Sequence, residues 1–210
     1  MNSMSPDLKP LPWWCMWGTD AMVDIETLST APNAVIISIG AVKFNPQVLN
    51  TIEQLDEFTF YQNIDREDSQ RYNLHVDADT IRWWSQQSQE AQDATKTNLT
   101  PLRTACEALN KWLTDYPRAN RIWAKDPDFD VVILRENFKM VGLKMFPIPF
   151  WLTRSVRTIT DLTYPNGHDA PNIRVGTHHN ALDDCISQAL MVQHCHGKLG
   201  LIPNDDRVLL

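Results

Sequence analysis

Residues 21–28 read Ala21-Met22-Val23-Asp24-Ile25-Glu26-Thr27-Leu28. Apolar, β-favouring residues lead into this stretch and the turn-rich Ser29-Thr30-Ala31-Pro32-Asn33 follows, so it reads as the end of a buried strand. Side chains two apart on a strand share a face, which sets Asp24 beside Glu26 and turns Val23 and Ile25 to the other side. Two carboxylates held together in an interior repel each other unless a cation lies between them. A hard divalent ion such as Mg²⁺ or Mn²⁺ suits such oxygen ligands. Asp-x-Glu pairs also occur on solvated strand edges, so this one takes its meaning from what lies downstream.

The chain has 210 residues, enough for one domain with a sizeable core. We place the division at 1–17, a Pro-containing lead-in whose Trp13, Trp14 and Trp17 form a lid over the core, and 18–210, the domain itself. A net charge of −7 argues against holding nucleic acid by bulk positive charge, but leaves room for an acidic site neutralised by bound cations. Cysteines at 15, 106, 185 and 195 show no CxxC spacing, which points to a reducing compartment. No apolar run reaches the length of a membrane span and no charged leader precedes an apolar core, so the expectation is a soluble, cytoplasmic protein with no membrane partner.

Val35 to Phe44 is nearly continuous in apolar, β-branched residues and reads as a central strand buried on both faces, with Gly40 marking a bulge or a close backbone approach. Glu57 to Ile64 gives a third strand, and the short connections suggest an antiparallel meander. The pattern then turns helical. Asp77 or Asp79 caps a segment carrying Ile81, Trp84 and Ser88 at helical spacing, and Leu102 to Leu113 is amphipathic, with Leu102, Ala105, Leu109 and Trp112 on one stripe. Arg121 to Ala124 is a short strand. Asp126-Pro127 then reads as a helix start, Val131, Leu134, Phe138 and Val141 recur at helical spacing, and Gly142 stops the helix. Phe150 to Thr153 reads as a last strand. Strands first and βα units second give a mixed sheet with helices packed on it.

Three further features bear on chemistry. Asp130 falls in the first turn of the helix after Arg121–Ala124, where Asp126 or Asp128 would complement the helix dipole equally well. In His178-His179-Asn180-Ala181-Leu182-Asp183-Asp184-Cys185, the Asn180/Asp183 pair resembles a helix cap, and Asp184 points away from the stripe of Leu182, Ile186, Ala189 and Gln193. Trp83 and Trp84 are adjacent, so both cannot face the core, and one is free to stack on a base. Arg154 and Arg157 are read as surface residues in reach of phosphates, and His194-Cys195-His196 as a helix end rather than a metal site.

"DIET", "WAKDPDFD" and "HHNALDD", in that order, resemble the three motifs of the DEDDh branch of the DnaQ-like exonuclease superfamily. The run "DIETLSTAPNAVIISIGAVKF" with "TIRWW" is similar to DexA-type phage exonucleases and RNase T-like bacterial relatives, over about Met22 to Cys195. The resemblance implies an α/β, RNase H-like fold with a mixed five-stranded sheet flanked by helices. It implies a 3′–5′ exonuclease that releases nucleoside 5′-monophosphates from single-stranded 3′ ends, DNA favoured over RNA, in a bacterial or phage-infected cell. Two Mg²⁺ or Mn²⁺ would be held by Asp24, Glu26, Asp130 and Asp184. His179 would be the general base, chosen over His178 by the family's His-x-x-x-x-Asp spacing to Asp184. Thr27, Leu28, Trp83 and Trp84 would contact the terminal nucleotide. Many relatives dimerise, so a homodimer is open. The alternatives are an exoribonuclease of the RNase T or oligoribonuclease kind and a non-catalytic nucleic-acid-binding module. Two departures stand out: Lys125-Asp126 replaces the Asn or Gly of many relatives, and Leu28-Ser29 replaces a Thr-Gly pair.

Overall fold

The computed structural model describes residues 19–202. The expected lid of Trp13, Trp14 and Trp17 lies outside them. The apolar segments form strands β1 (Thr19–Thr27), β2 (Ile36–Phe44), β3 (Thr59–Ile64), β4 (Leu99–Thr100), β5 (Ala119–Ala124) and β6 (Thr153–Ser155). Helices α1 (Ile52–Asp56), α2 (Arg66–Ser69), α3 (Ala78–Trp84), α4 (Gln89–Ala94), α5 (Leu102–Thr114), α6 (Asp130–Met140), α7 (Val156–Thr163) and α8 (Ala181–Lys198) connect and cover them. The sheet runs β4-β3-β2-β1-β5-β6. The meander expectation holds for β1, β2 and β3, which pair antiparallel, whereas β4, β5 and β6 join in parallel.

The sheet has six strands rather than five. The additional one, β4, is a two-residue pairing of Leu99 and Thr100 with Asn63 and Ile64, too short to leave a periodicity in the sequence. The last strand is also displaced. Phe150–Leu152 turn as a 3₁₀ helix behind Pro149, and pairing with β5 begins only at Thr153. Asp77 caps α3 through the backbone N–H of Asp79, but that helix ends at Trp84. Ser88 caps the next helix instead of extending the stripe, which leaves Ile81 exposed. Asp126-Pro127 opens a turn rather than a helix, because the Asp126 carbonyl accepts from both Phe129 and Asp130, and α6 begins at Asp130 itself.

Two apolar layers sandwich the sheet. Ala21, Val23 and Ile25 of β1 pack with Leu102, Ala105 and Leu109 of α5 and with Val131, Leu134 and Phe138 of α6. Met22, Val42 and Phe44 face the other way, onto Cys185, Ile186, Ala189 and Val192 of α8 and Val156 and Ile159 of α7. The stripe read on α5 is buried except for Trp112, which lies at the margin against Phe60. The pleat therefore carries Asp24 and Glu26 onto the α8 side, in line with Met22.

Gly40 lets α8 come close enough to use them. It stands opposite Asp24 in the β1–β2 register, and a Cβ there would lie 2.3 Å from the Ala181 carbonyl carbon. Real side chains never approach so near, so only glycine allows the first turn of α8 to rest on the sheet beside Asp24.

Candidate active site

Parallel pairing of β1 with β5 reaches only Met22 and Trp123. Beyond that point the strands diverge, and a cleft of about 420 Å³ opens at their carboxyl ends, the usual place for ligands in open α/β sheets. Divergence also frees the backbone N–H of Ile25. Asp130, at the start of α6, receives it on Oδ1 at 3.2 Å. That bond fixes Asp130 between Asp24 and Glu26 along the strand and explains why the acid stands at this position of the helix rather than at Asp126 or Asp128.

Asp184 enters from α8. Asn180 caps the helix by accepting from Leu182 and Asp183. His179, just outside it, takes a left-handed backbone with φ of 65°, and its N–H donates to Asp184 Oδ2 at 3.0 Å. Asp183 plays a different part from the cap expected of it: its carboxylate accepts from the Thr177 N–H at 2.7 Å and ties the incoming loop to the helix.

Carboxylate oxygens of Asp24, Glu26 and Asp184 all lie within 4.8 Å of one another. Asp24 has one compensating hydrogen bond, from Gln188 Nε2 at 2.7 Å. Burial raises its pKa well above the usual carboxylate value, and the charges of Asp130 and Asp184 raise it further. Burial likewise raises Glu26, with Asp24 and Asp184 adding to it, and pushes Asp130 to about 7 against the opposing hydrogen bond from Ile25. Asp24, Glu26 and Asp184, with so little positive charge among them, are a donor set suited to Mg²⁺ or Mn²⁺, and Asp130 stands beside them outside that group.

His179 Nδ1 is 4.0 Å from Glu26 Oε1. Its ring stands edge-on to Trp83, with centroids 4.8 Å apart, and stacks on His178. Burial, followed by the neighbouring His178, lowers its pKa and so favours the neutral imidazole.

A second cavity of about 480 Å³ adjoins the cleft and shares Ile25, Glu26 and Phe129 with it; Thr27, Trp83 and Trp84 line it together with Thr30, Asp77, Asp79 and Thr80. The two tryptophans divide their work. Trp84 is buried and donates Nε1–H to the Thr27 carbonyl at 2.8 Å, which holds α3 to the end of β1. Trp83 is 40% exposed and presents its ring to the cavity. Leu28 does not line this cavity: it lines a third one, with Ile37, Ile64, Arg66, Lys96 and Leu99, which meets the second at Trp84. Arg157 lines the cleft but pairs with Asp126, and Arg154 bonds the carbonyls of Trp151 and Thr153.

Two cleft residues that bond the acids, Gln188 and Arg174, escaped the sequence reading, and a third, Lys125, was read only as a departure. Gln188 follows Asp184 by one helical turn, a spacing that could have flagged it. Lys125 lines the cleft, at one of the two positions already noted as departures. Arg174, which donates from Nη1 to Asp184 Oδ1, sits in an irregular loop with no periodicity to mark it.

A family model described as the 3′-5′ exoribonuclease Rv2179c-like domain matches residues 19–196. The chain belongs to this family. It is a 3′–5′ exonuclease, a phosphodiester hydrolase, and nucleic acid is its class of substrate. An exodeoxyribonuclease of Enterobacteria phage T4 is 25% identical over 209 residues, covering 83% of this chain and 88% of that protein. Two solved structures share the fold. Exonuclease I superposes with a TM-score of 0.54 at 12% identity over 85% of this chain, which spans 41% of that one. The Mg²⁺- and Mn²⁺-bound form of S. pombe Pop2p superposes with a TM-score of 0.52 at 13% identity, over 90% of this chain and 86% of its own. The RNase H-like exonuclease fold is thereby established. Among the described residues no helix is long and apolar enough to cross a membrane.

Proposed function

We propose that the chain is a divalent-metal-dependent exonuclease that removes nucleoside 5′-monophosphates from single-stranded 3′ ends. The observation that carries this reading is the convergence of Asp24, Glu26 and Asp184 oxygens within 4.8 Å of one another, with Asp130 bonded to the same strand. Asp24, Glu26 and Asp184 would hold one Mg²⁺ or Mn²⁺, and Asp24 with Asp130 a second. Bound there, such ions would lower the pKa of the attacking water and stabilise the leaving 3′ oxygen.

The chain's own groups do the rest. His179 takes the water's proton on its neutral imidazole, held in place by its left-handed backbone, its bond to Asp184 and the edge of Trp83. The cavity of Thr27, Trp83, Trp84 and Phe129 receives the terminal nucleotide, with Trp83 supplying the stacking face. Lys125 at the lip of the cleft offsets negative charge brought by the strand.

Single-stranded DNA is the favoured substrate, on the similarity to the phage exodeoxyribonuclease. RNA is the second reading, favoured by the family's description. The free, buried Cys106, Cys185 and Cys195 accord with a reducing, cytoplasmic setting. Matched 5′-labelled DNA and RNA oligomers would test the proposal. The expected result is a one-nucleotide ladder from the 3′ end that needs Mg²⁺ or Mn²⁺ and runs faster on DNA. A ladder that persists in EDTA would overturn the metal dependence, and faster RNA digestion would transfer the substrate assignment.

A further inference from the structure

Both oxygens of Asp184 are engaged inside the protein. Oδ2 accepts the backbone N–H of His179, and Oδ1 accepts Arg174 Nη1. The first bond carries the imidazole and cannot be given up without moving it. The second comes from a side chain, 36% exposed, on the loop between α7 and α8. The backbone of that loop is pinned beside α8, since Val175 N–H donates to Ser187 Oγ at 2.9 Å. The guanidinium can therefore swing while its anchor stays. A divalent ion held by Asp24, Glu26 and Asp184 that ligated through Oδ1 would compete with the Arg174 guanidinium for that oxygen and repel its charge.

We propose that Arg174 alternates between two anions. Before the site is loaded it neutralises Asp184. Once an ion takes Oδ1, the released guanidinium binds a backbone phosphate of the incoming strand. Arg174 lines the same cleft as Lys125, Arg157 and His179, so the freed group remains where the phosphodiester must pass. A planar fork of donors fits a phosphate as well as a carboxylate. The inference rests on the reading of Asp184 as a metal ligand and adds a positioning residue whose availability depends on that metal.

Mn²⁺ titration of the folded full-length protein, paired with KM measurements on a single-stranded oligomer at saturating Mn²⁺, would test both halves. For Arg174→Ala the expected result is Mn²⁺ affinity raised about three- to tenfold and KM raised roughly tenfold, the loss of one charge-assisted hydrogen bond. Its kcat should stay within about threefold of the wild-type value, and the slope of log KM against log salt should fall by about 0.7, the share of one single-strand phosphate. Arg174→Lys should restore the salt slope but only part of KM. A merely structural Arg174 would loosen the loop, weaken Mn²⁺ binding and KM together and leave the salt slope alone; that outcome, or no change in either constant, overturns the proposal. Asp184→Asn is the control for the underlying reading: weakened Mn²⁺ binding supports it, and wild-type binding removes both the ligand role and the inference built on it.

Discussion

Strand β1 carries buried acid at two places on one face, and the two are treated differently. Asp20, 1% exposed, accepts from Arg121 Nε at 3.0 Å and from Trp123 Nε1 at 2.7 Å. Burial still raises its pKa, but both hydrogen bonds and the arginine's charge pull it back. Four residues on, Asp24 has Gln188 as its hydrogen-bonding partner and three acids around it. Among the described residues, the Lys and Arg side chains lining the cleft are Arg174, bonded to Asp184, Arg157, paired with Asp126, and Lys125 at the lip. A buried acid with its partners supplied holds the fold together, while a cluster without them stores repulsion that, on the proposed function, a cation from outside would relieve. The difference separates structure from function along a single strand.

The largest contrast comes from removing one acid of each kind. Asp24→Asn should lower kcat by roughly 10³-fold or more, above about 4 kcal/mol of transition-state stabilisation, while the metal-free melting temperature holds or rises. His179→Ala should cost about a hundredfold in kcat with little change in Mn²⁺ affinity, as expected for a proton acceptor that does not hold the ion. Loss of Mn²⁺ binding in that variant, with turnover intact at saturating Mn²⁺, would remove the base role.

Stability effects come next. Gly40→Ala should cost up to about 3 kcal/mol, because its Cβ would collide with the Ala181 backbone. It should also lower activity by moving Asp184 away from Asp24, and denaturant unfolding with a kinetic assay reads both. Asp20→Ala should cost about 2 kcal/mol by leaving Trp123 Nε1–H unpaired, discounted because Arg121 is partly solvated, and should leave kcat unchanged. Loss of turnover in Asp20→Ala at full folding would erase the contrast.

One side of this contrast, the acid pair of Asp24 and Glu26, was read in the sequence; Asp20 and its partners were not. The period of a strand put Asp24 and Glu26 on one face, and the resemblance to the exonuclease family's third motif, not the spacing by itself, pointed to Asp184 rather than Asp183. Gly40 announced either a bulge or a close approach; it is the approach, of the Ala181 backbone, that the structure has. Other features were illegible for stateable reasons. Strand β4 is two residues long and has no pattern to read. The start of α6 depends on which backbone N–H groups the Asp126 carbonyl captures. Arg174 acquires its partner through a loop whose path follows from the anchoring of Val175 and Thr177 on α8. Leu28 was nominated from its place beside Thr27, but the turn sends its side chain toward Ile37 and Ile64.

Metal-free stability against pH reaches the centre of the account. Raised carboxylate pKa values mean that the folded chain keeps protons the unfolded chain has already released. The corresponding stability is complete below the ordinary carboxylate range, near pH 4, and is lost as pH rises through the raised values, about 7 for Asp130. Asp20 contributes in the same direction but has no use for a metal ion. The direct measurement is the melting temperature from pH 5 to 8 with and without Mn²⁺. Without metal it should fall steadily; a fixed Mn²⁺ concentration, about a hundred times the dissociation constant at pH 8, should return roughly 2.7 kcal/mol at pH 8 and much less at pH 5, where protons compete for the carboxylates. Asp24→Asn should respond far less. A melting temperature that Mn²⁺ leaves unchanged at pH 8 in the wild-type protein would contradict the claim that these four acids exist to grip divalent ions.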